Sequence, residues 1–263
     1  MARIELRMTT LNQPLINSRD ISAYEMAYAD SSFEVVQAHY RKRLLLDLLH
    51  ELKPKRVLEI GCGLQTLAID CPDVEYFCIV EPGDQFIKKA KEDTKNLPQV
   101  HVVQGLIEEV SEQISDDYDL ILLSGLLHEV SDAQKLMQTC FDLCIDNTIL
   151  HINVPNADSL HRLLGLEMGL IASTDEQSNL QKTLQQPRIF DLISLSQLAV
   201  NSGFKVETQG SYFIKLFTHA QMHQLQKSGF LTNKMLDGFW NLTKHLPNAG
   251  SEIYINLKKS VKR

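Results

Sequence analysis

The residues whose types and spacing could carry chemistry begin with the segment Glu59–Gly63 and the acid Glu81. An apolar run of strand type ends in the two glycines of the first segment, and a second such run, Tyr76–Val80, ends at Glu81 one helix length later. Glycines let a turn approach a bound ligand closely, and an acid after the second strand can accept hydrogen bonds from a ribose diol. The pattern is half of a nucleotide-binding βαβ unit and predicts a ligand that contains a nucleoside.

The spacing of these residues discriminates between nucleosides. A pyrophosphate-binding fingerprint, G-x-G-x-x-G, requires a third glycine, and Thr66 stands at that position. An acid, Glu59, instead precedes the glycines in the pattern E-x-G-x-G. This pattern, together with the acid after the second strand, resembles the first motifs of the class I S-adenosylmethionine-dependent methyltransferases. Many members of that family have a further glycine where this chain has Gln65.

The resemblance implies S-adenosylmethionine as the cofactor and assigns the acids and glycines to it. Glu59, Gly61 and Gly63 are expected at the amino-acid part of the cofactor. Glu81, followed by Pro82, is expected to hold the ribose hydroxyls. Because this cofactor carries no phosphate, a turn with few glycines is compatible with it.

The ends of the third and fourth strands complete the expected cofactor site, since ligands bind outside the carboxyl ends of parallel strands. Relatives often carry an acid where Leu106 stands, so we expect the backbone of Leu106 and Ile107, after Gly105, to contact the adenine amine. Ile107 or Phe86 is expected to pack against the adenine ring. Ser124 ends the fourth strand and is a further candidate for cofactor contact.

The N-terminal helices contain aromatic and basic residues that the resemblance places over the cofactor. In relatives a Tyr or Arg from such helices holds the methionine carboxylate. Tyr28 and Arg43 are our candidates, and core packing is the alternative role for the tyrosines of this region.

His128, which follows the fourth strand, is the candidate catalytic residue. Methyl transfer is an in-line displacement, so the protein must align the acceptor and remove its proton if the acceptor is a hydroxyl. Imidazole can accept that proton near neutral pH. The alternative is a hydrogen bond from His128 to the backbone at a helix start. For Glu129 the alternatives are contact with the substrate and stabilisation of the first helical turn.

Polar residues after the fifth strand are candidates for binding the acceptor. Asn156 can cap a helix, and His161 with Arg162 follow one turn later. Arg162 would suit an anionic acceptor such as a phosphorylated sugar, whereas the alternative is that these side chains satisfy neighbouring carbonyls and acids. His219 and His223 share a helix face further along the chain, and we expect His223 to face the substrate rather than a metal.

The elements that must position these residues alternate between strands and helices. Strands are predicted near 56–60, 75–81, 100–104, 118–124 and 148–154, with helices near 84–95, 107–114 and 131–145 and one more after the first strand. Later segments predict helices near 157–171 and 191–202 and strands at 203–207 and 253–257. This order predicts an α/β Rossmann-like methyltransferase sheet of seven strands, mostly parallel with a terminal antiparallel strand, and helices on both faces.

The chain divides into two predicted regions. Residues 1–52 are expected to form an N-terminal helical cap segment, with one helix ending near Leu52 before Pro54. Residues 53–263 are expected to form the methyltransferase domain. The long interval between the last two strands requires inserted structure, so a helical insertion is predicted at about 211–250 as a cap over the active site.

Composition limits the function classes. The chain has 263 residues, 44% hydrophobic and 22% charged, and its net charge of −7 argues against a nucleic-acid partner because phosphate neutralisation needs clustered Lys and Arg. No apolar run reaches about 18 residues, so no membrane span is expected. Five cysteines in mostly apolar contexts favour buried thiols in a reducing cytosol over a metal pair at Cys140 and Cys144. We expect a cytoplasmic protein with no metal; a homodimer is one of the open oligomeric alternatives.

These features predict a methyltransferase that acts on an oxygen or nitrogen of a small molecule, a sugar or a secondary metabolite. Two alternatives stay open at this point. One is a non-catalytic subunit or sensor that binds S-adenosylmethionine. The other is an NAD-dependent oxidoreductase, which the missing third glycine disfavours.

Overall fold

The computed structural model describes residues 33–115, 117–178, 181–182 and 186–260. Within these ranges seven strands form one sheet: β1 (Arg56–Ile60), β2 (Tyr76–Glu81), β3 (Val100–Gln104), β4 (Leu120–Ser124), β5 (Ile149–Pro155), β6 (Phe204–Tyr212) and β7 (Glu252–Lys259). The α-helices around it are α1 (Glu34–Leu52), α2 (Asp84–Thr94), α3 (Ile107–Val110), α4 (Ala133–Leu143), α5 (Leu160–Glu167), α6 (Leu192–Asn201), α7 (His219–Lys227) and α8 (Asn233–Asn241).

The strand order across the sheet is β3-β2-β1-β4-β5-β7-β6. Strands β1 to β5 pair in parallel, whereas β7 is antiparallel to both of its neighbours, β5 and β6. The predicted fold class is therefore confirmed. The order reverses between β1 and β4, and the crevice at such a point, outside the carboxyl ends of the strands, is where open α/β sheets bind ligands.

The central strands are buried on both faces of the sheet. In β4 the residues Leu120–Leu123 are each no more than 1% exposed. Successive residues of one strand belong to different apolar clusters, as Val57 and Leu58 of β1 do, because their side chains point to opposite faces of the sheet. Near-continuous apolar runs are typical of parallel strands covered on both sides. This burial fixes the strand ends that carry the candidate site.

Two predicted helices differ from the structure. The helix expected after β1 is replaced by one 3-10 turn, Leu67–Asp70, which the side chain of Thr66 caps at its start. Pro72 follows this turn closely, and a proline excludes helical backbone for the residue before it. The helix predicted near 107–114 is also shorter, because α3 ends at Val110 and a 3-10 turn, Ser111–Gln113, follows.

Helices α7 and α8 occupy the interval between β6 and β7. Their apolar residues form a third cluster together with Phe33 and Tyr40 beside and within α1. Tyr40 stacks on Phe213, with ring centroids 4.4 Å apart. The first described helix and the β6–β7 interval therefore pack as one layer.

Some predictions concern single residues or lie outside the described ranges. All five cysteines are free and buried. In the described ranges no group of three or more His, Cys, Asp or Glu residues could hold a metal ion. No helix in the same ranges is long and apolar enough to cross a membrane. Residues 1–32 of the predicted N-terminal cap segment lie outside the described residues.

Candidate functional site

The turn after β1 presents its backbone to a ligand. Gly61 and Gly63 have φ angles of +77° and +54°, which L-residues with side chains rarely adopt. A β-carbon on Gly63 would meet no atom of the described residues within 4 Å, whereas one on Gly61 would lie 3.1 Å from the side chain of Leu126. The turn therefore has open space on one side and the loop after β4 on the other.

Glu59 holds this turn from inside the protein. Its carboxylate accepts hydrogen bonds from the Thr66 hydroxyl and from the backbone nitrogen of Leu67, whose distances to the two oxygens are 3.1 and 3.2 Å. Burial raises the pKa of Glu59 to about 7, although these hydrogen bonds oppose the change. The sequence predicted a cofactor contact for Glu59. The structure engages its carboxylate with Thr66 and Leu67 after the turn, and its contact with the cofactor stays a prediction.

Glu81 and the glycine turn form one unit. The Oε2 atom of Glu81 accepts from the backbone nitrogen of Gly63 at 3.2 Å, and Oε1 accepts from that of Gly83 at 2.8 Å. A carboxylate oxygen has more than one acceptor site, so these bonds orient Glu81 and leave acceptor capacity for a diol. Pro82 is half-buried beside it. The oriented carboxylate and the open backbone of Gly63 fit the ribose and amino-acid parts of S-adenosylmethionine.

The end of β3 lies next to this unit, because the backbone nitrogen of Gly105 donates to the Glu81 carbonyl at 3.2 Å. Gly105 has a φ of +150°, and a β-carbon there would lie 2.5 Å from the Val110 side chain. Leu106 is 43% exposed, whereas Ile107 is buried. Phe86 is likewise buried, in the first turn of α2.

Two other predicted cofactor residues have different outcomes. Ser124, at the end of β4, exchanges hydrogen bonds with the Asn153 side chain, which donates to the Ser124 hydroxyl at 3.0 Å. Tyr28 lies outside the described residues. Ser124 is partly exposed, and its contact with the cofactor stays a prediction.

A cavity of about 140 Å³ lies beyond the ends of β4 and β5. Residues from α1, from the loops after these two strands and from the β6–β7 interval line it. Five predicted site residues are among them: His128, Glu129, Asn156, His161 and Arg162.

His128 and Glu129 are both buried in the wall of this cavity. The Nε2 atom of His128 lies 3.6 Å from Oε1 of Glu129. The same carboxylate oxygen accepts from the Gln186 side chain at 3.0 Å, and the Arg188 backbone donates to the His128 carbonyl at 3.3 Å. The structure thus pairs an imidazole with an oriented carboxylate at the end of β4.

Asn156 has hydrogen bonds at both ends of its side chain. Its amide nitrogen donates to the carbonyls of Asn248 and Gly250 at 3.0 and 2.8 Å, and its oxygen accepts from the backbone of Asp158 at 3.0 Å. These contacts tie the end of β5 to the segment before β7. They favour the structural alternative for Asn156.

Arg162 and His161 differ in their partners. Arg162 donates to the Thr174 carbonyl at 2.9 Å and to the Glu176 carbonyl, which favours the alternative that it satisfies neighbouring carbonyls. The buried Nδ1 atom of His161 has no hydrogen-bond partner within the described residues. Burial, with the positive charge of Lys215 as the next cause, lowers the pKa of His161 to about 2.

A network of ion pairs that the sequence did not predict lies on the α1 side of the cavity, with Glu252 buried and Arg41 and Glu34 half-buried. Arg41 donates through Nε to Glu252 at 3.0 Å and through Nη2 to Glu34 at 3.1 Å. Gln37 donates to Glu252 at 2.6 Å. The guanidinium carbon of Arg41 lies 3.6 Å from the β-carbon position of Gly125, in the loop after β4.

Arg43 requires a correction, because it points away from this region. It forms an ion pair with Asp237 at 3.2 Å and stacks over Trp240 at 4.9 Å, both in α8. Residues 41 and 43 are two positions apart and so cannot share a face of α1. The cavity wall therefore contains Arg41 and not Arg43.

Lys215 and His219 line the cavity from the β6–β7 interval. Lys215 is 3% exposed, and its Nζ atom lies 3.1 Å from Nδ1 of His219. The other ring nitrogen of His219 lies 3.4 Å from Glu34. His223, predicted to face the substrate, is one turn further along α7 and is not part of the cavity wall, so His219 replaces it.

Lys215 carries a sequence signal that could have been used. It is the one charged residue in the otherwise aromatic and aliphatic run 212–217, and a lysine within such a run is either an interruption or a buried functional group. Arg41 carries no comparable signal, since it lies in the basic segment 41–43 of an amphipathic helix.

Comparison with known proteins agrees with this geometry. The sequence profile of a family described as "Methyltransferase domain" matches residues 37–209, more than half of the chain. A search of curated protein sequences found no match to this chain.

Three solved structures share the fold at low identity. A putative sarcosine dimethylglycine methyltransferase from Galdieria sulphuraria is 13% identical, with a TM-score of 0.60 over 91% of this chain and 98% of that one. The N-methyltransferase NodS from Bradyrhizobium japonicum, in complex with S-adenosyl-L-homocysteine, is 10% identical. Its TM-score is 0.56, over 91% of this chain and 99% of that one. The plantazolicin methyltransferase BamL, in complex with a triazolic desmethylPZN analog and SAH, is 16% identical. Its TM-score is 0.52, over 91% of this chain and 89% of that one.

Proposed function

The chain belongs to the S-adenosylmethionine-dependent methyltransferases, and from this premise we propose that it methylates an oxygen or nitrogen of a polar small molecule, a sugar or a secondary metabolite, held in the cavity. The family assignment removes the NAD-dependent oxidoreductase from the alternatives. The cofactor supplies a methyl group on a positively charged sulfur. The lining of the cavity, mostly charged and amide side chains, supports a polar acceptor.

The observation that carries this proposal is the short separation between the glycine turn and the cavity. Leu126 packs against the α-carbon region of Gly61, while its neighbour Gly125 lines the cavity. A two-residue segment after β4 thus separates the two spaces. An acceptor in the cavity would therefore lie close to a ligand seated on the glycine turn, as an in-line transfer requires.

His128 is the residue proposed to manage the acceptor's proton. Its ring takes that proton while the acceptor's lone pair forms the new bond to the methyl carbon and the carbon–sulfur electron pair returns to sulfur. Glu129, 3.6 Å from Nε2, would stabilise the imidazolium that results. Gln186 orients that carboxylate by its hydrogen bond of 3.0 Å.

The β6–β7 interval is proposed to close the acceptor side of the site. Two observations support this role. Lys215 and His219, both from this interval, line the cavity, and the third apolar cluster packs the interval against α1. The N-terminal segment 1–52 is proposed to extend this cover, through the α1 side chains Glu34, Gln37 and Arg41.

The experiment that tests this function combines a metabolite screen with variants of His128. Formation of S-adenosylhomocysteine is measured with a panel of hydroxyl and amine acceptors. With the acceptor found, His128→Ala should lower kcat about a hundredfold or more, the usual contribution of a positioned base. His128→Gln keeps hydrogen bonding but cannot take a proton, and His50→Ala, an exposed site in α1, is the matched control.

The results that would contradict the proposal are specific. Tight binding of the cofactor without turnover across the panel would favour the non-catalytic sensor instead. Full activity in both His128 variants would remove His128 as base and leave alignment as the catalytic contribution.

A further inference from the structure

We propose that Lys215 and His161 form a binding site for an oxyanion, a carboxylate or a phosphate, on the insertion side of the cavity. The site would hold an anionic group of the acceptor, a role that rests on the proposed function. It restricts the polar acceptors of that proposal to those that carry a negative charge at a distance from the methylated atom.

The geometry of Lys215 is the first support. Its side chain is buried and lines the cavity, and in the described part of the chain its one hydrogen bond is the 3.1 Å contact with His219. Because Lys215 Nζ carries only hydrogens, Nδ1 of His219 must accept in that contact, which places the ring hydrogen on Nε2, toward Glu34. An ammonium group has three donors, so Lys215 has donors left for a ligand.

His161 supplies a second donor in the same wall. Its Nδ1 atom is buried and has no hydrogen-bond partner among the described residues. A buried polar atom without a partner costs free energy, and a ligand in the cavity would provide the partner. A neutral imidazole with its hydrogen on Nδ1 can donate to an oxyanion.

The balance of charge favours an anion over a neutral ligand. The nearby carboxylates, Glu34 and Glu252, are already paired with Arg41. No hydrogen bond in the described residues joins Lys215 to either carboxylate. The pKa values of His161 and His219 are both lowered by burial and then by the charge of Lys215. The wall of the whole cavity contains four basic side chains, Arg41, Arg162, Arg188 and Lys215, and three carboxylates, Glu34, Glu129 and Glu252. One positive charge is therefore in excess, and a bound oxyanion would compensate it.

The nearest alternative role for Lys215 is that of a proton acceptor. Burial lowers its pKa to about 8, opposed by the charges of Glu34 and Glu252. Lysine remains mostly protonated at pH 7 under that condition, which suits an anion ligand. Arginine at the same position would keep the charge and could not accept a proton.

The test measures binding of inorganic phosphate and of acetate by calorimetry, at constant ionic strength and in the presence of S-adenosylhomocysteine. Wild type is compared with Lys215→Met, Lys215→Arg and His161→Phe, with Lys227→Met as the control for an exposed lysine of the same insertion. Lys215→Met should weaken binding of the preferred anion roughly tenfold or more, as loss of a charge-assisted hydrogen bond does. His161→Phe should weaken it severalfold, Lys215→Arg less than Lys215→Met, and Lys227→Met should have no effect.

Each outcome decides the proposal. Preference of wild type for phosphate indicates a phosphorylated acceptor, and preference for acetate a carboxylate one. The proposal is overturned if wild type binds neither anion, or if Lys215→Met and His161→Phe both bind them as wild type does. Should Lys215→Met fail to fold, judged by its unfolding transition, His161→Phe and Lys215→Arg decide alone. The affinity for S-adenosylhomocysteine, measured on the same samples, tests the proposed function separately. If S-adenosylhomocysteine does not bind, the cofactor site is contradicted and the anion site is not.

Discussion

Replacing Arg41 by methionine should reveal how much the protein depends on this network of ion pairs. Methionine keeps the length and apolar volume of the arginine stem but removes its charge. Glu252, whose side chain is 0% exposed, would lose the partner that holds its pKa below the usual range against the effect of burial. Removing one partner of a buried ion pair costs about 3–5 kcal/mol, because it leaves an uncompensated buried charge. We therefore expect Arg41→Met to lower the free energy of unfolding by about 3–5 kcal/mol.

Arg43→Met is the matched control on the same helix. Arg43 pairs with Asp237, but the two side chains are 42% and 56% exposed. Solvent screens such a pair, which contributes about 0–1 kcal/mol. Both variants replace an arginine of α1 by methionine, at positions two residues apart. The difference between their free energies of unfolding therefore reports the effect of burying the ion pair.

The assay is urea unfolding at pH 7, followed by circular dichroism. A double variant, Arg41→Met with Glu252→Gln, should recover part of the loss, because the amide needs no counter-charge. Its oxygen can still accept from Gln37, and its NH2 group can donate to the Tyr212 hydroxyl. Equal losses in Arg41→Met and Arg43→Met would refute the reasoning. Failure of the double variant to recover stability would show instead that the loss comes from the contacts of the guanidinium group beside Gly125.

Two further predictions concern cofactor binding and pH. Glu81→Gln should weaken S-adenosylhomocysteine binding, measured by calorimetry, roughly tenfold or more, since charge-assisted bonds to the ribose are lost. The exposed control Glu75→Gln should bind as wild type does. Equal affinities of wild type and Glu81→Gln would remove Glu81 from the site. His151, buried in β5, has its pKa lowered by burial from 6.5 to about 4, so between these values the unfolded chain binds a proton that the folded chain does not. Stability should therefore fall as pH is lowered through this window, by about 2–3 kcal/mol between pH 7 and 4.5 for this group, and urea unfolding of His151→Gln should lack that part of the loss.

The strands could be predicted because the information that specifies them is local. Leu120–Leu123 is an apolar run of strand length between polar segments, and the structure buries all of it. The predicted helix after β1 shows the limit of that reasoning. The βαβ pattern calls for a helix there, but Pro72 and the cap from Thr66 allow only a 3-10 turn. In the short segment between β1 and β2, the local effects of Pro72 and Thr66 therefore outweigh the βαβ pattern.

The relation between Gly63 and Glu81 could also be predicted from the sequence. Gly63 follows β1 and Glu81 ends β2, and the carboxyl ends of these neighbouring parallel strands meet at one edge of the sheet. Arg41 could not be recognised in this way, because its partner Glu252 is 211 residues away and lies on a strand that pairs antiparallel to β5. The helical pattern of α1 likewise does not distinguish Arg41 from Arg43, and only the packing of α8 against α1 does.

The two sides of the candidate site come from different parts of the chain, and this separation has a functional consequence. The candidate cofactor groups lie after β1, β2 and β3, where backbone geometry and one carboxylate suffice. The proposed acceptor cavity is lined by α1 and by the β6–β7 interval, where His219 lies beside both Lys215 and Glu34. Because the described cavity contacts of the interval are with α1 and not with the glycine turn, its residues can change the acceptor without altering the turn that holds the cofactor. Selectivity for the acceptor should therefore reside in the buried charges of α1 and the interval, and the strand ends should determine the reaction.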